Sequence, residues 1–194
     1  MHKMDQMPEV VFGNYKLRTI LKKDYQDYFE FGSDEDNVKY LTWKAFKTKR
    51  DAKAHIVSFY HKRKLFGEPV GYSIIDLSLN KMIGTIDFHT FNFHERTAEI
   101  GYLLSKSYWG KGVMSSALRT MIEIGFEYLS LNKIIIRSIE ENIASRHVIE
   151  ACGLELKNIK HNDHYHMKTK TYHNVYEYEI ERNMYYGTKT KGNI

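Results

Sequence analysis

Apolar and polar positions along the chain predict strands and helices in a mixed order. Tyr15 to Ile20 reads as a short strand. Asp24, with Asp27 three residues on, predicts a cap for a helix that carries Tyr25, Tyr28 and Phe29 and stops near Gly32. Thr48 and Asp51 form a capping-box start, followed by Ala52, Ile56, Phe59 and Tyr60 on one helical face. Gly67 and Pro69 close that helix. Three strands are predicted in quick succession: Val70 to Ser78, Met82 to Phe88, and Thr97 to Leu104. Their links, Leu79-Asn80-Lys81 and Asn92-Phe93-His94-Glu95, are short, so an antiparallel meander is the economical topology.

From Gly112 to Leu129 the apolar positions Val113, Ala117, Leu118, Met121, Ile122, Gly125 and Phe126 follow the 3.6-residue period of a long helix. Lys133 to Ile139 holds Ile134, Ile135 and Ile136 in a row, which predicts a strand buried on both faces. A strand, helix and strand in this order predict a right-handed parallel crossover. A short helix from Asn142 to Cys152 is stopped by Gly153, and Val175 to Ile180 reads as a late strand. The predicted fold class is α+β, or mixed α/β, built on one sheet. Residues 1–14 are expected to be irregular, 15–186 to form a single domain, and 187–194 to be a polar tail.

Composition narrows the setting. The chain has 194 residues with 42% hydrophobic content, enough for a real core. The formal charge of +5 is spread along the chain and favours anionic partners such as phosphates, acidic peptides or RNA; a solvated basic surface is the plainer reading. Nothing in the pattern points to DNA. The lone cysteine, Cys152, excludes an intrachain disulfide framework and suits a reducing cytoplasm. Its spacing from Val148 and Ile149 reads as a small core residue rather than a nucleophile. No apolar stretch approaches the roughly 20 residues of a membrane helix, so no membrane partner is expected.

Chemistry concentrates at Ser107-Tyr-Trp-Gly-Lys-Gly-Val-Met114, where a strand runs into a glycine-rich turn that opens a helix. Backbone N–H groups at a positive helix terminus suit a phosphate or pyrophosphate. Gly110 and Gly112 would let the ligand approach the backbone, and Lys111 would add a cation. The same pattern also fits an ordinary turn. A P-loop is excluded because Lys111 is followed by Gly112, and a dinucleotide fingerprint because Ser115 stands where a third glycine is needed.

The segment Trp109-Gly110-Lys111-Gly112-Val113-Met114 resembles the cofactor loop of GNAT acetyltransferases, Gln/Arg-x-x-Gly-x-Gly/Ala, with Gly112 on the central glycine. Trp109 departs from Gln/Arg, and Met114 from the small last residue. The Trp-Gly-Lys-Gly version and the preceding Ala98-Glu-Ile-Gly-Tyr-Leu-Leu104 are similar to the RimJ/RimL-type ribosomal-protein N-acetyltransferases. The resemblance spans roughly Tyr15 to Arg182. It implies a GNAT-like fold: one mostly antiparallel sheet splayed in the middle, with helices on both faces. It also implies acetyl-CoA as cosubstrate, no metal, and an amine acceptor. A protein or peptide N-terminus comes first among acceptors, and a small amine such as a polyamine or antibiotic second. A homodimer stays open.

Site residues carry over by position. Asn142-Ile-Ala-Ser145 resembles the family's last cofactor-binding segment, and Ser145 is implied as proton donor to the departing thiolate, since Ile149 replaces the usual tyrosine. Asn142 caps a helix on the plainer reading and meets the pantetheine arm on the other. Glu99 is the candidate base, acting directly or through water. A bulge near Leu103 or Leu104 is implied, with an N–H for the thioester carbonyl. His161, His164 and His166 are expected on a loop as a wall of the acceptor cleft rather than a metal site. Tyr172, Tyr176, Tyr178, Tyr185 and Tyr186 are expected to pack the sheet. Two other classes stand as alternatives: a basic RNA- or ribosome-associated module without activity, and a CoA-binding regulator that has lost its chemistry, against which the retained Glu99 and Ser145 argue.

Overall fold

The computed structural model describes residues 7–166 and 170–190. Eight strands form one open sheet in the order β1-β2-β3-β4-β5-β6-β8-β7. They are β1 (Val10–Phe12), β2 (Tyr15–Thr19), β3 (Tyr72–Asp76), β4 (Lys81–Asn92), β5 (Thr97–Leu104), β6 (Lys133–Ile139), β7 (Glu155–His166) and β8 (Thr171–Glu181). Helices are α1 (Tyr25–Gly32), α2 (Glu35–Val38), α3 (Lys49–His55), α4 (Val113–Glu123), α5 (Ile143–Glu150) and α6 (Arg182–Thr190). The mixed class and the single sheet are as the sequence predicts. The chain divides into two compact units, Met1–His89 with Gly101–Met121, and Thr90–Ile100 with Ile122–Ile194.

In the first unit β1, β2, β3 and β4 pair antiparallel in sequence order, with a register shift between Ile74 and Ile75. Val10–Phe12 pair with Tyr15–Leu17, so regular structure begins earlier than expected. Asp24 does not cap α1. Its carboxylate is buried, accepting from Arg18 (2.7 and 2.8 Å), Leu21 N–H (2.8 Å) and Ser73 Oγ (2.9 Å). Asp27 instead accepts from Met82 N–H at 2.9 Å and ties α1 to β4.

The Thr48–Asp51 capping box starts α3, which continues as a π turn over Ile56–Tyr60 and a tighter 3-10 stretch over His61–Phe66. Gly67, at φ +71°, ends it in the left-handed conformation that glycine adopts most readily. Tyr28, Phe31, Phe46, Ile56, Tyr60 and Leu103 bury together as this unit's core. A Cβ on Gly84 would lie 2.6 Å from the Leu103 carbonyl oxygen, so β4 and β5 approach too closely there for any side chain.

In the second unit Thr97, Ala98 and Glu99 pair parallel with Lys133, Ile134 and Ile135, as a crossover through α4 requires. β8 pairs antiparallel with β6 on one side and β7 on the other. β6 is not buried on both faces. Ile134 and Ile136 are buried, Ile135 is half-buried and Arg137 is exposed. The second face is ionic: Lys133 pairs with Glu179 at 3.0 Å, and Arg137 with Glu177 at 2.7 Å and with Glu99.

The long helix predicted to Leu129 is α4 followed by a π turn over Ile124–Tyr128. Residues 187–190, expected in a polar tail, continue α6; 191–194 lie outside the described residues. His161, His164 and His166 lie on β7, not on a loop. That strand is exposed along most of its length, so no apolar alternation marks it in the sequence.

Candidate functional site

The glycine-rich turn is anchored before it reaches the helix. After Leu104 the chain makes a 3-10 turn over Lys106–Tyr108, closed by Tyr108 N–H to Ser105 O (2.9 Å) and Trp109 N–H to Lys106 O (3.1 Å). The Trp109 indole N–H donates to Leu104 O at 2.8 Å, so the residue that departs from the Gln/Arg pattern ties the loop back to the end of β5. Tyr108 donates to Asp76 Oδ2 at 2.8 Å; burial and this bond push its phenol up to about 12. The Lys111 ammonium lies 5.3 Å from the Tyr108 ring centroid, holding that cation beside the turn.

Gly110 and Gly112 have φ of +70° and +72°, and a Cβ built on either meets nothing within 4 Å. Conformation, not crowding, therefore demands glycine at both. The space beside them is open to a ligand that must approach the backbone. The first helical bond of α4 is Ser116 N–H to Gly112 O at 3.0 Å. The N–H groups of Val113 and Met114 precede it, at the positive end of the helix. Both side chains are buried, which settles how a methionine fits here: Met114 turns into the core and leaves only its backbone at the turn. An open glycine cradle, a helix N-terminus and a lysine fit a pyrophosphate.

The second unit holds the other residues singled out from the sequence. Glu99 is half-buried and ion-paired with Arg137. Asn142 caps α5, its Oδ1 accepting from Ser145 N–H at 3.2 Å. Arg146 and Glu150 fix that helix to β8 through the buried Tyr178 hydroxyl, at 3.1 and 2.9 Å. Cys152 is buried behind α5, in the core role read from its spacing. On β7 and β8, His173 Nδ1 lies 2.6 Å from Glu141 Oε1, and burial together with His166 and His173 holds His164 below the usual imidazole range. Among the described residues, no group of three or more His, Cys, Asp or Glu could hold a metal ion. No helix among them is long and apolar enough to cross a membrane.

One arrangement escaped the sequence reading. On β4, Asp87 accepts from Arg63 of the 3-10 stretch at 2.5 Å and lies 3.2 Å from His89 Nδ1. Arg63 also donates to Phe88 O at 2.9 Å. Arg63 and Asp87 stand 24 residues apart, so no local spacing could signal the pair.

The acetyltransferase (GNAT) domain family matches residues 15–155. Uncharacterized N-acetyltransferase YnaD of Bacillus subtilis is 35% identical over 71% of this chain and 77% of its own length. Over shorter stretches the chain is similar to two named enzymes. The ribosomal-protein-serine acetyltransferase of Escherichia coli is 33% identical over 40% of this chain and 44% of its own. The spermidine N(1)-acetyltransferase of Vibrio cholerae is 25% identical over 41% and 46%. A solved GNAT-family acetyltransferase from Bacillus anthracis superposes with a TM-score of 0.77 at 26% identity, covering 91% of this chain and 99% of that one. With its glycine turn at the head of α4 and its sheet of matching fold, the chain belongs to the GNAT acetyltransferase family and is an N-acetyltransferase.

Proposed function

We propose that this protein transfers acetyl from acetyl-CoA directly to the primary amine of a protein or peptide N-terminus, with no acetyl-enzyme intermediate. The observation that carries the cosubstrate assignment is the turn at Gly110–Gly112, open, left-handed and set at the head of α4. In this proposal the pyrophosphate sits on the N–H groups of Gly110, Lys111, Gly112, Val113 and Met114. Leu103 and Leu104 supply the strand edge for the pantetheine arm and an N–H for the thioester oxygen. Asn142 adds an amide contact, and Ser145 gives a proton to the thiolate as the C–S bond breaks. Glu99, already paired with Arg137, orders the acceptor's side or passes a proton through water.

The choice of an N-terminus over a polyamine follows from charge. The chain carries +5, and a polyamine brings several positive charges of its own, whereas a peptide brings one at the reacting end. The family contains relatives named for both kinds of acceptor. A single-domain enzyme of a reducing cytoplasm, with its lone cysteine in the core, completes the reading.

Thiol release from acetyl-CoA, measured against a panel of N-terminal peptides and a panel of polyamines, tests both halves. Turnover with peptides is expected, and turnover confined to polyamines overturns the acceptor assignment. Calorimetry on Gly112→Glu tests the turn: acetyl-CoA binding is expected to vanish, and retained affinity would refute the loop. Ser145→Ala is expected to lower kcat while leaving cofactor affinity within a few-fold; unchanged kcat removes Ser145 from the mechanism.

A further inference from the structure

We infer that His89 is the base that takes the proton from the acceptor ammonium, with Asp87 and Arg63 as the residues that position it. The inference rests on the amine-acetylation reading above and adds a catalytic residue to it.

The geometry is that of an oriented imidazole. Asp87 is buried, and Arg63 holds it as a carboxylate at 2.5 Å. Burial raises its pKa, but His89 and the Arg63 guanidinium outweigh that and hold it below the usual range. A carboxylate can only accept, so the 3.2 Å contact places the proton of His89 on Nδ1 and the basic lone pair on Nε2. The imidazole keeps about a quarter of its surface exposed, while the Asp87 side chain is 5% exposed. The carboxylate of the pair is buried and the imidazole is partly exposed.

The backbone is shaped around both residues. A Cβ on Gly101 would stand 2.9 Å from His89 Cε1, and one on Gly71, at φ +96°, would stand 2.9 Å from Asp87 Cβ. Gly101 lies on β5 two residues before Leu103, roughly 7 Å along the strand. The imidazole therefore sits about one side chain's length from the Leu103–Leu104 edge assigned to the thioester. Glu99 occupies the same face of β5 as Gly101, two residues earlier, but its carboxylate is engaged by Arg137. Among the described residues, Tyr28, His55 and Tyr60, all on the helical side of this unit, also couple to Asp87.

The proton balance closes. An ammonium acceptor gives one proton to Nε2, and the free amine attacks the thioester carbon, forming C–N as the carbonyl pair moves onto oxygen; C–S breaks when that adduct collapses. A second nitrogen proton leaves as the tetrahedral adduct collapses, and the sulfur departs as thiol. The imidazolium then releases its proton to solvent. The net products are amide, CoA thiol and one proton.

His89→Gln in the full chain tests this by thiol release and acetyl-CoA calorimetry. With a peptide acceptor, kcat/KM at neutral pH is expected to fall about 100-fold or more, with acetyl-CoA affinity within about twofold. The acid limb of the pH profile is expected to move to the pKa of the amine itself. Added imidazole is expected to restore part of the rate to His89→Gly. Asp87→Asn is expected to lower kcat with the wrong tautomer; since that carboxylate is buried, its circular dichroism must match the wild type for the rate to be read. Three outcomes overturn the inference while leaving acetyl transfer standing. One is an active His89→Gln with an unmoved limb, another is a loss of rate without rescue, and the third is a limb that moves in Glu99→Gln instead. A wild type that releases no thiol with any amine overturns the acetylation reading, and this one with it.

Discussion

His55 sits among Trp43, Phe46 and Phe59, with its ring stacked on Phe59 at 5.0 Å and its Nδ1 3.1 Å from the Tyr28 hydroxyl. Burial, with a smaller push from Arg63, lowers its pKa to about 4 against the partial opposition of Asp87. An unfolded chain takes up that proton near pH 6.5, whereas the folded one resists it to about 4. Stability should therefore decline as pH falls through this window and be full above it. His55→Gln, which keeps a partner for Tyr28, is expected to flatten the decline in urea midpoints measured from pH 7 to 4. An equally steep decline in the variant would assign the effect elsewhere. Asp24 acts in the same direction at lower pH. Burial raises its pKa, but Arg18, Leu21 N–H and Ser73 together hold it below the usual range, so its contribution is present above about pH 4 and lost below. Asp24→Asn should cost about 3 kcal/mol at neutral pH by stranding Arg18, read from equilibrium denaturation. The sequence placed Asp24 at a helix start and named it a cap. Its true partners, Arg18 and Ser73, belong to two different strands, and no helical spacing encodes them.

Elements were legible in proportion to how one-sided their burial is. The Thr97–Leu104 and Lys133–Ile139 strands match their predicted limits, and α3 starts at the predicted capping box because Thr48 and Asp51 bond reciprocally. Thr48→Ala should lower stability by about 1 kcal/mol, visible as a drop of about 2–4 °C in melting temperature. β7 escaped notice because a mostly exposed edge strand has no apolar face to advertise, and its pairing with β8 is a tertiary fact. The π turns after α3 and α4 are likewise set by packing, since apolar spacing alone does not separate π from α. The turn before α4 was legible as glycines, but the reason for Trp109 was not. Its indole bond to Leu104 O spans five residues and fixes where the turn begins. Trp109→Phe keeps the ring and removes the donor. Acetyl-CoA affinity is then expected to weaken roughly fivefold, the equivalent of about 1 kcal/mol for one hydrogen bond. Unchanged affinity in calorimetry would show that the loop holds its shape without that bond.

At the scale of the whole molecule, the central meander, the parallel crossover and the family were accessible because alternating strands and one loop motif survive in sequence, whereas the placing of β8 between β6 and β7 was not, and acceptor identity depends on surfaces that local patterns do not describe. Net charge is the one whole-chain property that bears on it. With +5 on the protein, a peptide carrying acidic residues just after its free amine should be drawn in, and a polyamine repelled. Screening acts on both, since the Debye length shrinks from about 30 Å at 0.01 M to about 8 Å at 0.15 M salt. Raising ionic strength across that range should therefore lower kcat/KM for acidic peptides and leave unchanged, or raise, any rate with spermidine. The opposite pattern, a spermidine rate that is highest at low salt and falls as salt is added, would mean that a local acidic surface outweighs the net charge. The acceptor would then be a polycation, and the N-terminal assignment would have to be withdrawn even with the cofactor turn and His89 unchanged.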